Sequence, residues 1–366
     1  MARMMICISH SFRHSFLHRF RLQILALALL LVASSYYIKP AHITSPSTSA
    51  FPTIFTPVTL NTTKPVRDVR VAKATILYGQ KNFVYEKALD SHAQHNKLHG
   101  YEMHILRHQI TKDIWGKWLW LQSLVTNELR KSAEDRVDWI MYFEPSVVLL
   151  NSRVPLRVFL PPTEDIFDDV TLILAKPDGK AISTSTFFIR VSESSLQILT
   201  RALSSFLQPV LSESGVDPSD SILQVILKEH PYQEKALYQP AHWYNSVVTN
   251  NGFISEDDLL VRFPIDLQGK RWKLMDDLLT SLPFNHLRFS KPIEDTRYAT
   301  EPQRFWESVM EAKQVLEKAE ENMGGDGQEE LSRRAQKLKD RIEQYAWDGE
   351  SLSVAVAAVE ILLRGQ

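Results

Sequence analysis

The sequence predicts an α/β domain, a mostly parallel sheet flanked by helices, carried behind an N-terminal membrane anchor and followed by a helical tail. Three observations predict it. Short apolar runs rich in β-formers alternate with stretches of helical spacing over residues 71–229, the order that βαβ units leave in a chain. A seventeen-residue apolar run occupies residues 22–38. Over residues 301–366 the chain becomes helical in pattern and largely charged.

The elements follow in order. Residues 22–38 read LQILALALLLVASSYYI, with Gln23 the only strongly polar side chain. That length is the short end of a bilayer-crossing helix and suits the thin membranes of the early secretory pathway. Arg3, Arg13, Arg19 and Arg21 precede the run and only Lys39 follows it closely. This bias keeps residues 1–21 in the cytosol and sends the remainder into the lumen, a single-pass type II layout. A cleaved signal peptide and a buried core helix are the rival readings. The long basic lead-in and the lack of a clean small-x-small cleavage site favour the anchor. Residues 39–68 carry Pro40, Pro46, Pro52, Pro57 and Pro65 among serines and threonines. Such a stretch buries too little surface to offset its chain entropy and reads as a luminal stem. Asn61-Thr62-Thr63 is a glycosylation sequon within it.

The domain proper spans 69–300. Residues 71–78 (VAKATILY) predict a strand that stops at Gly79. Residues 83–99 show helical spacing of Val84, Ala88 and Leu98, with Gly100 as the C-terminal cap. Residues 101–106 predict a second strand. Residues 115–131 predict an amphipathic helix with Trp118, Leu121, Leu124 and Val125 on one face. Residues 137–143 (VDWIMYF) are apolar almost throughout, as a strand buried on both faces must be. Further strands are expected at 170–175 and 186–191, and helices at 194–206 and 220–229. Ligands of such sheets bind beyond the carboxyl ends of the strands, so the segments after Tyr78 and after Phe143 mark the site. The tail, 301–366, predicts helices over 304–322 and 328–347, joined by Gly324-Gly325-Asp326-Gly327, and a last apolar helix over 351–363. It reads as a packing appendage, with a partner surface as the alternative.

Composition excludes several classes. Forty-two Lys and Arg against 43 Asp and Glu leave a net charge of -1, so a nucleic-acid partner has no electrostatic footprint. The one cysteine, Cys7, excludes an intramolecular disulfide and a thiolate-rich zinc site. His92, His95 and His99 share one helical face but lack a carboxylate partner, which is too little for a metal site. Trp115, Trp118 and Trp120 read as core rather than as a sugar-stacking platform.

Three stretches carry a family resemblance. They are His99-Gly100-Tyr101 followed by Trp115-Gly116-Lys117, residues 138–151 (DWIMYFEPSVVLLN), and residues 186–196 (TFFIRVSESSL). In order and spacing they resemble glycosyltransferase family 34, the fungal galactosyl- and mannosyltransferases and plant xyloglucan xylosyltransferases. Residues 220–223 (DSIL) and 259–263 (LLVRF) are weaker echoes of the same pattern. The resemblance implies a GT-A-like, Rossmann-like fold and transfer of a hexose, galactose or mannose, with retention of configuration. The donor would be a nucleotide sugar, UDP-galactose or GDP-mannose, and the acceptor a glycan or glycoprotein. The place would be the Golgi or endoplasmic reticulum membrane, beside other Golgi glycosyltransferases as possible partners. By resemblance and position, Asp220 and Ser185 are the catalytic candidates, and Tyr78, Gly79, Lys117, Glu144, Ser146 and Arg262 the donor-binding ones.

The chain departs from the family at the metal. Where the family has Asp-Ala-Asp for Mn²⁺, this sequence has Glu144-Pro145-Ser146, and Arg262 replaces a metal-binding histidine. Three readings stay open. Arg262, helped by Lys270 and Arg271, neutralises the diphosphate in place of a metal, since arginine binds phosphate bidentately. Alternatively Glu144 and Ser146 hold Mn²⁺ weakly. In the third reading the fold persists without catalysis, as a scaffold or glycan-binding subunit of a glycosylation complex.

Overall fold

A computed structural model describes residues 68–365 apart from 112–114, 178–180, 206–216, 250, 266, 268, 324–328 and 346–348. The basic tail, the anchor over 22–38, the stem to residue 67 and the sequon at Asn61 lie outside the described residues. Among the described residues, no helix is long and apolar enough to cross a membrane.

The strands are β1 (Val71–Ile76), β2 (Glu102–Leu106), β3 (Trp139–Phe143), β4 (Val147–Leu149), β5 (Leu172–Ala175), β6 (Ser183–Arg190), β7 (Ala236–Gln239), β8 (Ser246–Val247) and β9 (Leu260–Arg262). Six of them form the main sheet in the order β2-β1-β3-β6-β5-β7, and a small second sheet has the order β4-β9-β8. The expectation of a mostly parallel sheet holds for five of the six strands, and only β6 is reversed. The β1–β2, β1–β3 and β5–β7 pairs are parallel, but β6 runs antiparallel to both β3 and β5. The reason is the short link over residues 176–182, which has no room for the crossover helix that a parallel neighbour requires. Strand β6 also starts three residues earlier than its apolar run suggests. Its polar start, Ser183-Thr184-Ser185, extends the strand, with Ser183 pairing Ala175 after a register shift.

The helices are α1 (Phe83–Ser91), α2 (Ala93–His99), α3 (Trp115–Leu129), α4 (Glu193–Ser204), α5 (Pro218–Ile226), α6 (Ala241–Tyr244), α7 (Arg271–Ser281), α8 (His286–Phe289), α9 (Glu301–Glu321), α10 (Glu329–Tyr345) and α11 (Gly349–Arg364). The single helix expected over 83–99 is two helices that meet at His92. His92 and His95 both turn inward, where each ring offers Nδ1 to the buried ammonium of Lys73 on β1, at 3.3 and 2.8 Å. The His92 ring stacks on Phe143 with centroids 4.1 Å apart. Gly100 caps α2 as expected, at φ 69°. Replacing it with alanine forces a Cβ into the left-handed region. This is expected to cost about 1 kcal/mol, read as a lowered urea midpoint with an unchanged m-value.

The period of two along β3 sorts the core into layers. Ile140 and Tyr142 join the side packed by α3, α4 and α5, with Trp118, Leu121 and Val125 buried there as the sequence predicts. Trp139, Met141 and Phe143 face the other side. There the expected C-terminal appendage takes part in the main core, because Phe305, Trp306, Val309, Leu338 and Val359 share one buried cluster with Met141, Phe188 and Leu237. Residues 64–366 form one compact unit. A third cluster packs α1 and α7 against β4 and β9.

Candidate active site

The carboxyl ends of β1 and β3 and the start of the antiparallel β6 meet at one end of the main sheet. Phe143 pairs with Thr186, and the amide of Glu144 donates to the Ser185 carbonyl at 2.9 Å. The chain then turns through Pro145, with the Val147 amide donating back to the Glu144 carbonyl at 3.0 Å. Strand β4 pairs with β9 so that Val147 lies opposite Arg262, and the Phe263 amide donates to the Ser146 carbonyl at 3.1 Å. Paired residues of an antiparallel ladder stand about 5 Å apart between Cα atoms. The backbone of Arg262 therefore lies beside the Glu144–Ser146 turn.

Lys117, in the first turn of α3, is buried beneath this turn. Its Nζ donates to the carbonyl and the hydroxyl of Thr184, both at 2.7 Å, and lies 4.6 Å from the Tyr142 ring centroid. The Thr184 amide and hydroxyl in turn donate to Asp220 Oδ1 at 2.6 and 2.5 Å. Burial lowers the Lys117 pKa, opposed by the carboxylates of Glu144 and Asp220. Burial raises that of Asp220, opposed by the Thr184 hydroxyl and Lys117. Lys117 thus positions Thr184 and Asp220 from inside the protein, rather than offering its charge to a ligand. Ser185 is nearly buried and meets Glu144 through its backbone. The Tyr78 hydroxyl lies over Gly116, and Gly79 leaves β1 exposed at φ 93°. Arg271 approaches from α7, its guanidinium 5.4 Å from the ring centroid of Tyr85. Burial raises the Tyr85 pKa, opposed by Arg271 and reinforced by Glu144. Lys270 is exposed.

In front of this edge opens a cavity of about 710 Å³, with Asp220, Arg262, Ser183, His242, Asn245 and Asp258 among its walls. Of the sequence candidates, Asp220 and Arg262 line it directly. Asn245, Ser246 and Asp258 were not legible beforehand. They belong to the end of the β7–β8 connection, the start of β8 and the approach to β9, and the one signal for them was the short apolar run ALYQ before Pro240.

A divalent cation does not suit the donors present. Glu144 and Ser146 supply one carboxylate and one hydroxyl, and they engage each other, Ser146 Oγ donating to Glu144 Oε2 at 3.4 Å. Arg262 flanks them on the paired strand and Lys117 acts on Glu144 from below. A hard cation needs a fuller set of oxygen ligands than this, and two fixed positive charges oppose it. Among the described residues no group of three His, Cys, Asp or Glu side chains converges. The donors present therefore fit poorly with the reading that places Mn²⁺ on Glu144 and Ser146.

No family model matches the chain, and no curated protein matches it. Among solved structures it is similar to a glycosyltransferase involved in the glycosylation of the major capsid of PBCV-1, at 12% identity and a TM-score of 0.45, over 57% of this chain and 99% of that one. It is also similar to the galactosyltransferase LgtC in complex with donor and acceptor sugar analogs, at 9% identity and a TM-score of 0.35, over 57% of this chain and 95% of that one.

Proposed function

We propose that the chain is a glycosyltransferase of the GT-A arrangement that holds the diphosphate of a nucleotide sugar on Arg262 instead of on a metal. One observation carries this reading. Arg262 lines the cavity beside Asp220, and among the described residues its buried Nε has no hydrogen-bond partner and it forms no ion pair. A cation left without a carboxylate at the end of a sheet suits an anionic ligand. During transfer the bond from the anomeric carbon to the diphosphate oxygen breaks and a bond to the acceptor oxygen forms. The acceptor proton passes to the departing phosphate. Arg262 offsets the charge that grows on the leaving group. Asp220 faces the positive charge that grows on the sugar, and Lys117 and Thr184 fix its carboxylate. Membership of family 34, a galactose or mannose donor, a glycan or glycoprotein acceptor and a type II position in the Golgi or endoplasmic reticulum membrane complete the proposal.

Calorimetric titration of the full chain with UDP-galactose and GDP-mannose tests it. Binding of one donor is expected to be indifferent to EDTA and to weaken by roughly 10- to 100-fold in Arg262→Ala, the loss typical of a charge-assisted hydrogen bond. Binding lost with EDTA, or unchanged in Arg262→Ala, overturns it. Tight donor binding without turnover on any glycan acceptor points instead to the scaffold reading.

A further inference from the structure

The cavity holds a second group that nothing so far explains. Asn245 is completely buried and lies in the cavity wall, and among the described residues neither its Nδ2 nor its Oδ1 has a hydrogen-bond partner. A buried amide with both ends unpaired is costly unless something else supplies the partners. The residue is held where it is by its backbone. Its amide donates to the Ala241 carbonyl at 2.7 Å, closing α6, and the next residue, Ser246, pairs with Val261 beside Arg262. Asp258, also largely buried, stands in the same wall, and Ser246 Oγ donates to its Oδ1 at 2.9 Å. Exposed Phe253 contributes an apolar face to the cavity.

We infer that Asn245 and Asp258 form a subsite for the hydroxyl groups of a sugar ring, and that Asn245 sets which sugar is accepted. An amide presents a donor and an acceptor side by side, the complement of a hydroxyl that both donates and accepts. The Asp258 carboxylate only accepts when ionised, so it suits hydroxyl donors and repels phosphate. The cavity is thereby divided, with its anion-binding cation at Arg262 and its neutral polyol side at Asn245 and Asp258. Its volume is within the range that holds small ligands. This inference rests on the proposed function for the identity of the ligand, though the sugar subsite itself does not require the diphosphate.

The test compares Asn245→Leu, close in volume, and Asn245→Asp, which removes the donor, with the parent chain. Each is titrated with UDP-galactose, GDP-mannose, UDP, GDP and free galactose and mannose. In Asn245→Leu the sugar-bearing ligands are expected to bind 10- to 100-fold more weakly, with UDP and GDP unchanged and the melting temperature not lowered. Asn245→Asp is expected to change the ratio of galactose to mannose binding. An unchanged preference for sugar-bearing over bare nucleotides in both variants overturns the inference and leaves the Arg262 reading intact. A parent chain that binds free sugars but no nucleotide sinks the Arg262 reading and keeps the subsite. A lowered melting temperature in Asn245→Leu with sugar binding retained makes Asn245 merely structural and overturns the inference.

Discussion

Lys117→Ala is expected to destabilise the protein by about 3 kcal/mol or more, and to weaken donor binding with it. The side chain is buried, and its ammonium is the donor to the Thr184 carbonyl and hydroxyl. Removing it leaves a buried carbonyl unpaired and takes the positive charge away from Asp220 and Glu144. Stripping one partner from a buried charged network costs about 3–5 kcal/mol, because the remaining group stays desolvated. The position adds to the effect. Lys117 lies in the first turn of α3, where the helix dipole disfavours a cation, so the carboxylates and Thr184 must hold it there. Urea unfolding should show a lower midpoint at an unchanged slope, and calorimetry weaker donor binding. A loss below about 1 kcal/mol would show that Thr184 and Asp220 hold each other without it.

Acid should weaken the fold well before carboxylates protonate. His92 and His95 are completely buried. Burial first, and Lys73 next, hold His92 well below its ordinary value and bring His95 down to about 2. About a unit above pH 6.5 and beyond, neither ring is charged in either state, so their contribution to stability is complete. As pH falls from 6.5 toward 2, the unfolded chain takes up protons that the folded chain refuses, and stability falls. Two such rings should remove about 3 kcal/mol between pH 6.5 and 5. His95→Gln is expected to halve that slope. Burial lowers Lys73 in the same direction, so its contribution also improves as pH rises toward 10.5. Unfolding free energy measured across pH 5 to 7 checks this, and a flat profile would mean that the rings titrate in the folded state.

Apolar patterning reveals what water-exclusion dictates and little else. Strand β3 was legible because VDWIMYF has nowhere to go but between two layers, and the amphipathic helix carrying Trp118 was legible for the same reason. The polar start of β6 hid because Ser183-Thr184-Ser185 reads as a turn until Lys117 and Asp220 supply its partners. Lys73 hid inside VAKATILY, where one charge among apolar neighbours looks like a solvent-facing position. Its actual surroundings are the imidazoles of His92 and His95. In the site, Arg262 and Asp220 were legible through the family resemblance and do line one cavity. Asn245 was not, since an asparagine after AHWY has no pattern, and its meaning lies in two amide atoms in the cavity wall that lack partners among the described residues.

The last helices have a consequence for how the chain is made. Helix α10 packs along β7, the outermost strand of the main sheet, where Lys339 pairs with Glu234. A nascent polypeptide halted before residue 329 would therefore carry a bare outer strand, open to pairing with any neighbouring copy.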